Sequence, residues 1–493
     1  MEKRTKGETV KIKIVDMADS GAGIGKDAGF AVFVPGAVTG DVVTARLVNV
    51  KKNFAEGELI SVDEPSKDRR EPFCQAAGEC GGCPFGTLAY EAQAEIRKKH
   101  LSDRLERIGG IQADGIVGDT VTMENPFRYR NKAVMEITAG GLITLKGGIQ
   151  KNAGEPVIGF HRRGSHDVVD CGDCMLQAPT VAAAARAVKE FMISDNITAY
   201  DPKWEKGLMR HMMIRTAFGT GEVMAVFVIN GKGIPNVQKL IGMLDDAIYD
   251  LPPGPGGVEY SLESVVVSCK KGNGRGSVFG DEFTTVAGSP VIHERIGGLD
   301  FEISPASFYQ VNPVQMERLY DIAADFAGGE EGLSGKTVLD LYCGVGSIGL
   351  WLSRKGAGSV IGIESVRDAV LDANRNAVIN GIVSARYICG KAEEVLPRLA
   401  VGEEVGGISL EKADIAVLDP PRAGCREELL DAVAEAGVDR IVYVSCDSGT
   451  LSRDVKYLSG LGYALTKAVP VDMFPGTAES EAVALIERDI KVL

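Results

Sequence analysis

The sequence predicts an α/β protein in three parts: a C-terminal doubly wound, Rossmann-like domain, a small N-terminal β-barrel and a central α+β region. Three observations predict it. From about residue 301, strand-like runs alternate with helical ones, and the strands end in loops carrying Gly, Asp, Glu or Cys; this is the pattern of a parallel, doubly wound sheet. Residues 7–62 hold short strand-like runs at close spacing, joined by Gly turns, which suits a small barrel. Between these parts, strands and helical periods mix without a fixed repeat. The predicted boundaries are 1–64, 65–300 and 301–493.

In chain order, VKIKIV alternates and is followed by the turn Gly21-Ala-Gly-Ile-Gly25, then by FAVFVPG, DVVTARLVNVKK and GELISV. The polar run EPSKDRREP (64–72) carries two prolines and is expected to be a linker. Residues 88–108 have a helical apolar period and no proline, so a helix is expected there. KAVMEIT, EVMAVFVIN and VEYSLESVVVSC are expected strands, 179–193 an expected helix, and LPPGPGG (251–257) a loop. In the last part, KTVLDLYCGVGSIGLWLSRKG reads as strand, Gly loop and helix. SVIGIES is a strand and VRDAVLDANRNAVING a helix. ADIAVLDPPR and VDRIVYVSCD are strands ending in loops. Ligands of such sheets sit beyond the carboxyl ends of the strands, which is where Glu364, Asp419 and Cys446 fall.

Composition narrows the function classes. The 493 residues include 54 Lys plus Arg and 68 Asp plus Glu, a formal net charge of −14, with 45% hydrophobic and 25% charged residues. That balance excludes collagen, coiled coil and bulk disorder. No apolar run approaches the roughly 20 residues of a membrane helix, and MEKRTKGETVKIKIVD lacks the apolar core of a signal peptide; a cytoplasmic location is expected. Residues 1–150 balance 21 basic against 21 acidic side chains, so the whole deficit lies in 151–493. An acidic chain is not the footprint of a nonspecific nucleic-acid binder, but the neutral N-terminal part leaves room for local contacts.

Four constellations carry chemistry. The first is Gly344-Val-Gly346-Ser-Ile-Gly349 with Glu364 twenty residues after Gly344. Glycines admit close backbone approach and a carboxylate accepts from ribose hydroxyls, as any adenosine-bearing cofactor requires. Asp340 and Asp419-Pro-Pro-Arg422 favour S-adenosylmethionine over NAD. The second is Val444-Ser-Cys446-Asp447 at a strand end, where a thiolate can act as a nucleophile. Cys343, inside the Gly loop, is expected to pack under it. The third is Cys74-x5-Cys80-x2-Cys83 with Cys171 and Cys174. Ten cysteines in a cytosolic chain point away from disulfides. Two knuckles, Cys80-x2-Cys83 and Cys171-x2-Cys174, suit tetrahedral zinc. Cys74, Cys80 and Cys83 with one distant cysteine suit an iron–sulfur cluster, and the use of Cys74 favours the latter. The fourth is Asp472-Met-Phe-Pro475-Gly-Thr477-Ala-Glu479-Ser-Glu481: a carboxylate entering a last strand can serve as a general base, against the alternative of a solvated charge. The histidines show no metal-ligand spacing, and HRRGSH (161–166) suits either phosphate contact or a solvated surface.

Together these motifs resemble the RNA uracil-C5 methyltransferases, most closely the iron–sulfur branch that methylates 23S ribosomal RNA. GAGIGKDAGFAVFVPGAVTGDVV resembles the TRAM domain, an OB-like RNA-binding barrel, and CQAAGECGGCPFGTL the cluster-binding loop. SPASFYQVNPVQ, LDLYCGVGSIGL, LDPPRAGC, VSCDSGTLSRD and DMFPGTAESE are similar, in order, to the catalytic-domain motifs. The resemblance implies that Gln310, Tyr342, Glu364 and Asp419 bind S-adenosylmethionine, that Cys446 is the nucleophile and that Glu481 is the base. It implies a [4Fe-4S] cluster on Cys74, Cys80, Cys83 and Cys174, with Cys171 a bystander, and structural zinc as the alternative. Residues from about 88 to 120 are expected to pack on the catalytic domain. The family usually carries Asn-Pro where Asp447-Ser448 stand here. The expected product is 5-methyluridine in ribosomal RNA; transfer RNA is the rival substrate. An amino methyltransferase, an RNA-binding iron–sulfur protein with a decayed site, and a dehydrogenase are further rivals. Expected RNA contacts are Lys51, Lys52, Arg128, Arg130, Arg162 and Arg163, with Phe54, Phe127, Tyr129 and Phe160 for stacking. No membrane or DNA partner is expected, and the chain is expected to be a monomer.

Overall fold

The computed structural model describes residues 4–140, 142–144, 150–152, 155–272 and 276–489. Alternation of apolar and polar residues sets the first unit. Strands β1 (Thr9–Met17), β2 (Ala22–Asp27), β3 (Phe30–Pro35), β4 (Val42–Val50) and β5 (Phe54–Glu64) close into a barrel in the order β1-β2-β3-β5-β4. Val10, Ile12, Ile14, Val32, Val34, Val43 and Leu47 point inward and fill it. Lys51 and Lys52 are exposed on the β4–β5 turn, and Phe54 stacks edge-to-face on Phe33.

The segment expected to be a linker is tied down. Arg69 Nη2 lies 2.6 Å from the buried carboxylate of Asp41 and donates to Gly36 O, while Arg70 N–H bonds Thr87 O. Helix α1 (Tyr90–Arg104) follows and ends in a π-turn at Leu105–Gly109, with Gly110 left-handed. Its Leu101 and the following Leu105 join the apolar core under the C-terminal sheet.

The central part is a seven-stranded sheet, built from β6 (Lys132–Thr138), β9 (Val157–His161), β10 (Val168–Asp170), β11 (Met209–Thr216), β12 (Glu222–Ile229), β13 (Ser261–Cys269) and β14 (Phe283–Gly288), in the order β10-β9-β6-β11-β12-β13-β14. A hairpin of β7 (Leu142–Thr144) and β8 (Gln150–Asn152) interrupts the chain after β6. Helices α2 (Pro179–Ser194) and α3 (Val237–Tyr249) cover one face, where Val188, Phe191, Leu240, Leu244 and Ile248 pack on Ile214 and Phe227. The sequence reading did not register α3, although Leu240, Leu244 and Ile248 mark one helical stripe. The opposite face, with Met213, Met224, Val226 and Val266, shares a core with the C-terminal part.

A hairpin of β15 (Ile292–Ile296) and β16 (Leu299–Ile303) runs across the expected boundary at residue 301 and leads into the last part, with α4 (Pro313–Ala327) and the short α5 (Gly329–Leu333). Strands β17 (Thr337–Leu341), β18 (Ser359–Glu364), β19 (Ala385–Cys389), β20 (Ile415–Leu418), β21 (Arg440–Ser445), β22 (Tyr463–Val471) and β23 (Glu481–Arg488) alternate with α6 (Ser347–Arg354), α7 (Arg367–Ile379), α8 (Ala392–Ala400), α9 (Glu427–Glu435) and α10 (Ser448–Gly460) up to β22. The sheet order is β19-β18-β17-β20-β21-β23-β22, parallel except for β23, which is antiparallel to both neighbours. The order reverses between β17 and β20. A crevice opens at such a switch point. Among the described residues, no helix is long and apolar enough to cross a membrane.

Candidate active site

One cavity of about 1390 Å³ opens at the carboxyl ends of β17, β18, β20 and β21, and Gln310, Tyr342, Glu364, Asp419, Cys446 and Glu481 all line it. The glycine loop after β17 is shaped by its own residues. Tyr342 is held at φ +64°, a rare value for a residue with a side chain. Gly344 N–H donates to Glu364 Oε2 at 3.2 Å, and Glu364 Oε1 accepts from Val366 N–H at 2.8 Å. Gly349 N–H donates to Asp340 Oδ2 at 2.9 Å, while Asp340 Oδ1 is buried without a hydrogen-bond partner. Burial pushes the Asp340 carboxyl up to about 7, with the charges of Asp419 and Glu364 adding to the rise. Cys343 lies buried beneath the loop, its Sγ against Gly362. An open cavity, a glycine loop and an orphaned buried carboxylate oxygen fit an adenosine-bearing ligand.

The Gln310 segment is held from the central sheet. The fully buried Arg215 donates to Ser304 O (2.9 Å) and Ser307 O (2.8 Å), and Asn131 Nδ2 donates to Gln310 O at 3.1 Å. Ser307 Oγ then bonds Asp372 Oδ2 on α7 at 2.8 Å.

At the other end, Cys446 follows β21 and is half-buried. Asp447 caps α10, its carboxylate accepting from Gly449 N–H (2.8 Å) and Thr450 N–H (2.9 Å). An acidic cap does here what an Asn cap does elsewhere, so the departure at 447 keeps the turn that presents Cys446. Burial pushes the Cys446 thiol up to about 11, with the charges of Glu481 and Asp419 adding to the rise and Arg422 opposing it. Asp419 is pushed up to about 7 by burial. Glu481 is 7% exposed, not a solvated charge, and burial holds its carboxyl well above the ordinary range. Arg422 Nη2 bonds Glu479 Oε2 at 2.7 Å at the cavity rim.

The cysteines of the third constellation meet elsewhere. Cys74, Cys80, Cys83, Cys171 and Cys174 line a second cavity of about 230 Å³. Cys171, expected to stand aside, shares this wall and holds the Cys80 thiol below its ordinary value. Burial raises Cys83 to about 12, and the charges of Cys174, Cys80 and Cys74 push in the same direction. Among the described residues, no group of three or more His, Cys, Asp or Glu side chains is placed to hold a metal ion. The five thiols share one lining, and cysteine thiolates are the donor set of a structural zinc site as well as of an iron–sulfur cluster.

Several expected RNA contacts are otherwise engaged. Arg128 forks onto Asp173 at 2.6 and 2.7 Å and donates to Cys174 O. Tyr129 is 1% exposed. Arg162 pairs with Glu79 at 2.6 Å, and Phe160 and Phe127 pack on apolar neighbours. Arg130 lines the large cavity, stacked over Phe474. The sequence reading missed Arg97, Asn131 and Arg215. Arg97 had a signal: with Gln93, Ile96 and Leu101 it lies on the buried stripe of α1, where a cation needs a reason.

Comparison with known proteins gives the lineage. Residues 293–489 match the family described as tRNA (Uracil-5-)-methyltransferase, and residues 3–60 match the TRAM domain. The chain is 40% identical to an uncharacterized RNA methyltransferase of Caldanaerobacter subterraneus subsp. tengcongensis, over 99% of this chain and 100% of that one. The chain belongs to the RNA uracil-C5 methyltransferase family. A second relative, an uncharacterized RNA methyltransferase of Clostridium acetobutylicum, is 39% identical over 98% of each chain. The fold also matches the crystal structure of Pyrococcus abyssi tRNA (uracil-54, C5)-methyltransferase in complex with S-adenosyl-L-homocysteine, at TM-score 0.72 and 27% identity, covering 97% of this chain and 99% of that one. This member of the family is therefore an S-adenosylmethionine-dependent RNA-modifying enzyme with an N-terminal TRAM barrel.

Proposed function

We propose that the enzyme methylates C5 of a uridine in 23S ribosomal RNA through a covalent bond between Cys446 and C6. The observation that carries this reading is that Cys446 and Glu481 line the same cavity as Gln310, Tyr342, Glu364 and Asp419. Uracil C5 is too poor a nucleophile to be alkylated unaided. Attack of the Cys446 thiolate on C6 pushes the C5=C6 pair into an enolate, whose C5 forms the new carbon–carbon bond. Bound S-adenosylmethionine would supply the methyl group from its sulfonium, the pair of the broken sulfur–methyl bond staying on sulfur as S-adenosylhomocysteine. Glu481 then takes the remaining C5 proton, the C–H pair re-forms C5=C6, and the C6–S pair returns to sulfur. The cofactor-holding roles are assigned to Gln310, Tyr342, Glu364 and Asp419. The target base is splayed from its stack at a cost of a few kcal/mol, while residues 1–64 and 65–300 hold flanking RNA and residues 301–493 do the chemistry.

Cys74, Cys80, Cys83 and Cys174 are assigned to a [4Fe-4S] cluster that would fix the fold of the loop. Iron and labile sulfide in anaerobically purified protein support it; one zinc per chain and no colour would assign the two knuckles instead. The cluster-loop resemblance supports ribosomal RNA. A second reading, transfer RNA, is supported by the substrate of the archaeal structural neighbour.

The test uses in vitro transcribed 23S ribosomal RNA and transfer RNA with methyl-labelled S-adenosylmethionine, followed by mapping of 5-methyluridine. RNA containing 5-fluorouridine should leave an SDS-stable adduct on Cys446, since fluorine cannot depart as a proton. An active preparation that forms no such adduct, or a Cys446→Ala variant with full activity, rules out covalent catalysis.

A further inference from the structure

Glu481 opens β23, paired with Val471 of β22, and the 472–480 segment that leads into it has no helix or strand of its own. Its backbone is held from α1, at the far end of the sequence. Arg97 Nη1 donates to Glu479 O at 2.7 Å, across a separation of 382 residues. Its Nη2 donates to Thr477 O at 3.0 Å and Phe474 O at 3.2 Å, and lies 2.9 Å from Asp472 Oδ1. The guanidinium also rests over the Phe85 ring, 5.6 Å from its centroid. Neighbouring residues add to the grip: Gln93 Oε1 accepts from Gly476 N–H at 2.9 Å, and Tyr129 Oη donates to Pro475 O at 3.0 Å.

The Arg97 side chain is 1% exposed and that of Asp472 is 0%. Burying an ion pair costs several kcal/mol per ion, and an apolar pair of similar volume often packs as well or better. Packing alone therefore does not account for Arg97. A guanidinium offers what an apolar side chain lacks, a rigid fork that fixes several acceptors at set separations. Here three of those acceptors are carbonyls of one segment, and the last of them lies two residues before Glu481.

We propose that Arg97 is a positioning residue that holds the 472–481 segment so that the Glu481 carboxyl meets the C5 proton. This rests on the assignment of Glu481 as the base. The step it serves is the last one: the C5–H bond breaks, the proton passes to the Glu481 carboxylate, the C–H pair forms C5=C6, and the C6–S pair returns to Cys446. The earlier steps depend on Cys446, which stands after β21 at the α10 cap, and none of the Arg97 contacts reaches it. Loosening the segment therefore slows elimination and spares addition.

Arg97→Lys keeps a cation beside Asp472 but cannot grip three carbonyls. It is tested with methyl-labelled S-adenosylmethionine and unmodified 23S ribosomal RNA and transfer RNA, reading the single-turnover burst of label into RNA, the lifetime of the SDS-stable adduct, and cofactor affinity. The expected result is a burst and an affinity within about twofold of the parent, with an adduct lifetime about tenfold longer, as misplacement of a catalytic group by roughly 1 Å can cost up to 10²-fold. Glu481→Gln is run beside it. If Glu481→Gln releases RNA at the parent rate, the base assignment fails and takes this proposal with it. If Glu481→Gln traps the adduct while Arg97→Lys does not, only the role of Arg97 fails. Loss of burst, affinity and adduct together in Arg97→Lys marks a purely structural residue and overturns the proposal. Should Arg97→Lys not fold, Tyr129→Phe reads the same lifetime: lengthening supports the grip, and an unchanged lifetime overturns it.

Discussion

At the glycine-loop end of the cavity, Gly344 and Glu364 hydrogen-bond across only twenty residues, and Asp340 bonds Gly349 across nine. At the end that holds Cys446, the segment leading to Glu481 is held by contacts spanning 377 to 382 residues. The Gln310 segment is intermediate, reached from Arg215 and Asn131 across 89 to 179 residues. A site built locally folds with its own strand, loop and helix, and is damaged mainly by changes within that unit. A site built at long range needs other parts of the chain in place first. Cofactor binding and elimination should therefore respond to different sets of substitutions.

The largest expected effect tests the local end. Gly346 has φ +79°, and a Cβ there would lie 2.5 Å from Tyr387 Oη and 2.7 Å from Cζ, in a ring that is itself buried. The left-handed conformation alone costs a side chain roughly 1–2 kcal/mol, and the ring must also shift. Gly346→Ala is expected to weaken S-adenosylmethionine binding about 100-fold, near 2.7 kcal/mol. Gly344 has φ +54° but open space around its Cβ position, so Gly344→Ala carries the strain alone and should lose about tenfold, or ~1.4 kcal/mol. Calorimetry on both variants checks the order. Equal losses would mean that the Tyr387 contact is irrelevant, and no loss in either would remove the loop from the cofactor site.

The same division decides what the sequence makes legible. The α/β alternation, the glycine loop with Glu364, and the strand-end position of Cys446 are short-range patterns, and each lies in the structure where the periodicity put it. The barrel follows from alternation and Gly turns for the same reason. Residues 65–72 lie outside every helix and strand, as a linker should, but polarity and proline content do not reveal that Arg69 reaches the buried Asp41. Arg128 and Arg162 look like free cations in sequence, and only the fold brings Asp173 and Glu79 to them. Arg97 is the extreme case: its acceptors are backbone carbonyls, which no side-chain pattern marks. The cysteine motif lies between these cases. Spacing groups Cys74, Cys80 and Cys83, but the shared cavity with both Cys171 and Cys174 is a property of the fold.

A smaller effect would connect the two ends by charge. Cys446 is pushed up to about 11 and Asp419 to about 7, each chiefly by burial, and Glu481 is raised for the same reason. A raised acid holds its proton, so few Cys446 side chains are thiolates near neutral pH. A cation placed nearby favours every deprotonated form. The sulfonium of S-adenosylmethionine is such a cation, whereas S-adenosylhomocysteine has a similar shape and a neutral sulfur. Binding of the sulfonium form should therefore release protons, and its affinity should rise with pH through the region near 7, more steeply than that of the neutral form. Iodoacetamide alkylation of Cys446, read by mass spectrometry across pH with the exposed Cys389 as reference, should have its inflection moved to lower pH by S-adenosylmethionine and not by S-adenosylhomocysteine. The difference in rate near pH 8 is expected to be a few-fold, since effective screening leaves only a modest coupling across a hydrated cavity. Identical inflections with the two ligands would show that the locally built end does not tune the nucleophile. Activation would then have to come from the RNA, or from Arg422 once its pairing with Glu479 is broken.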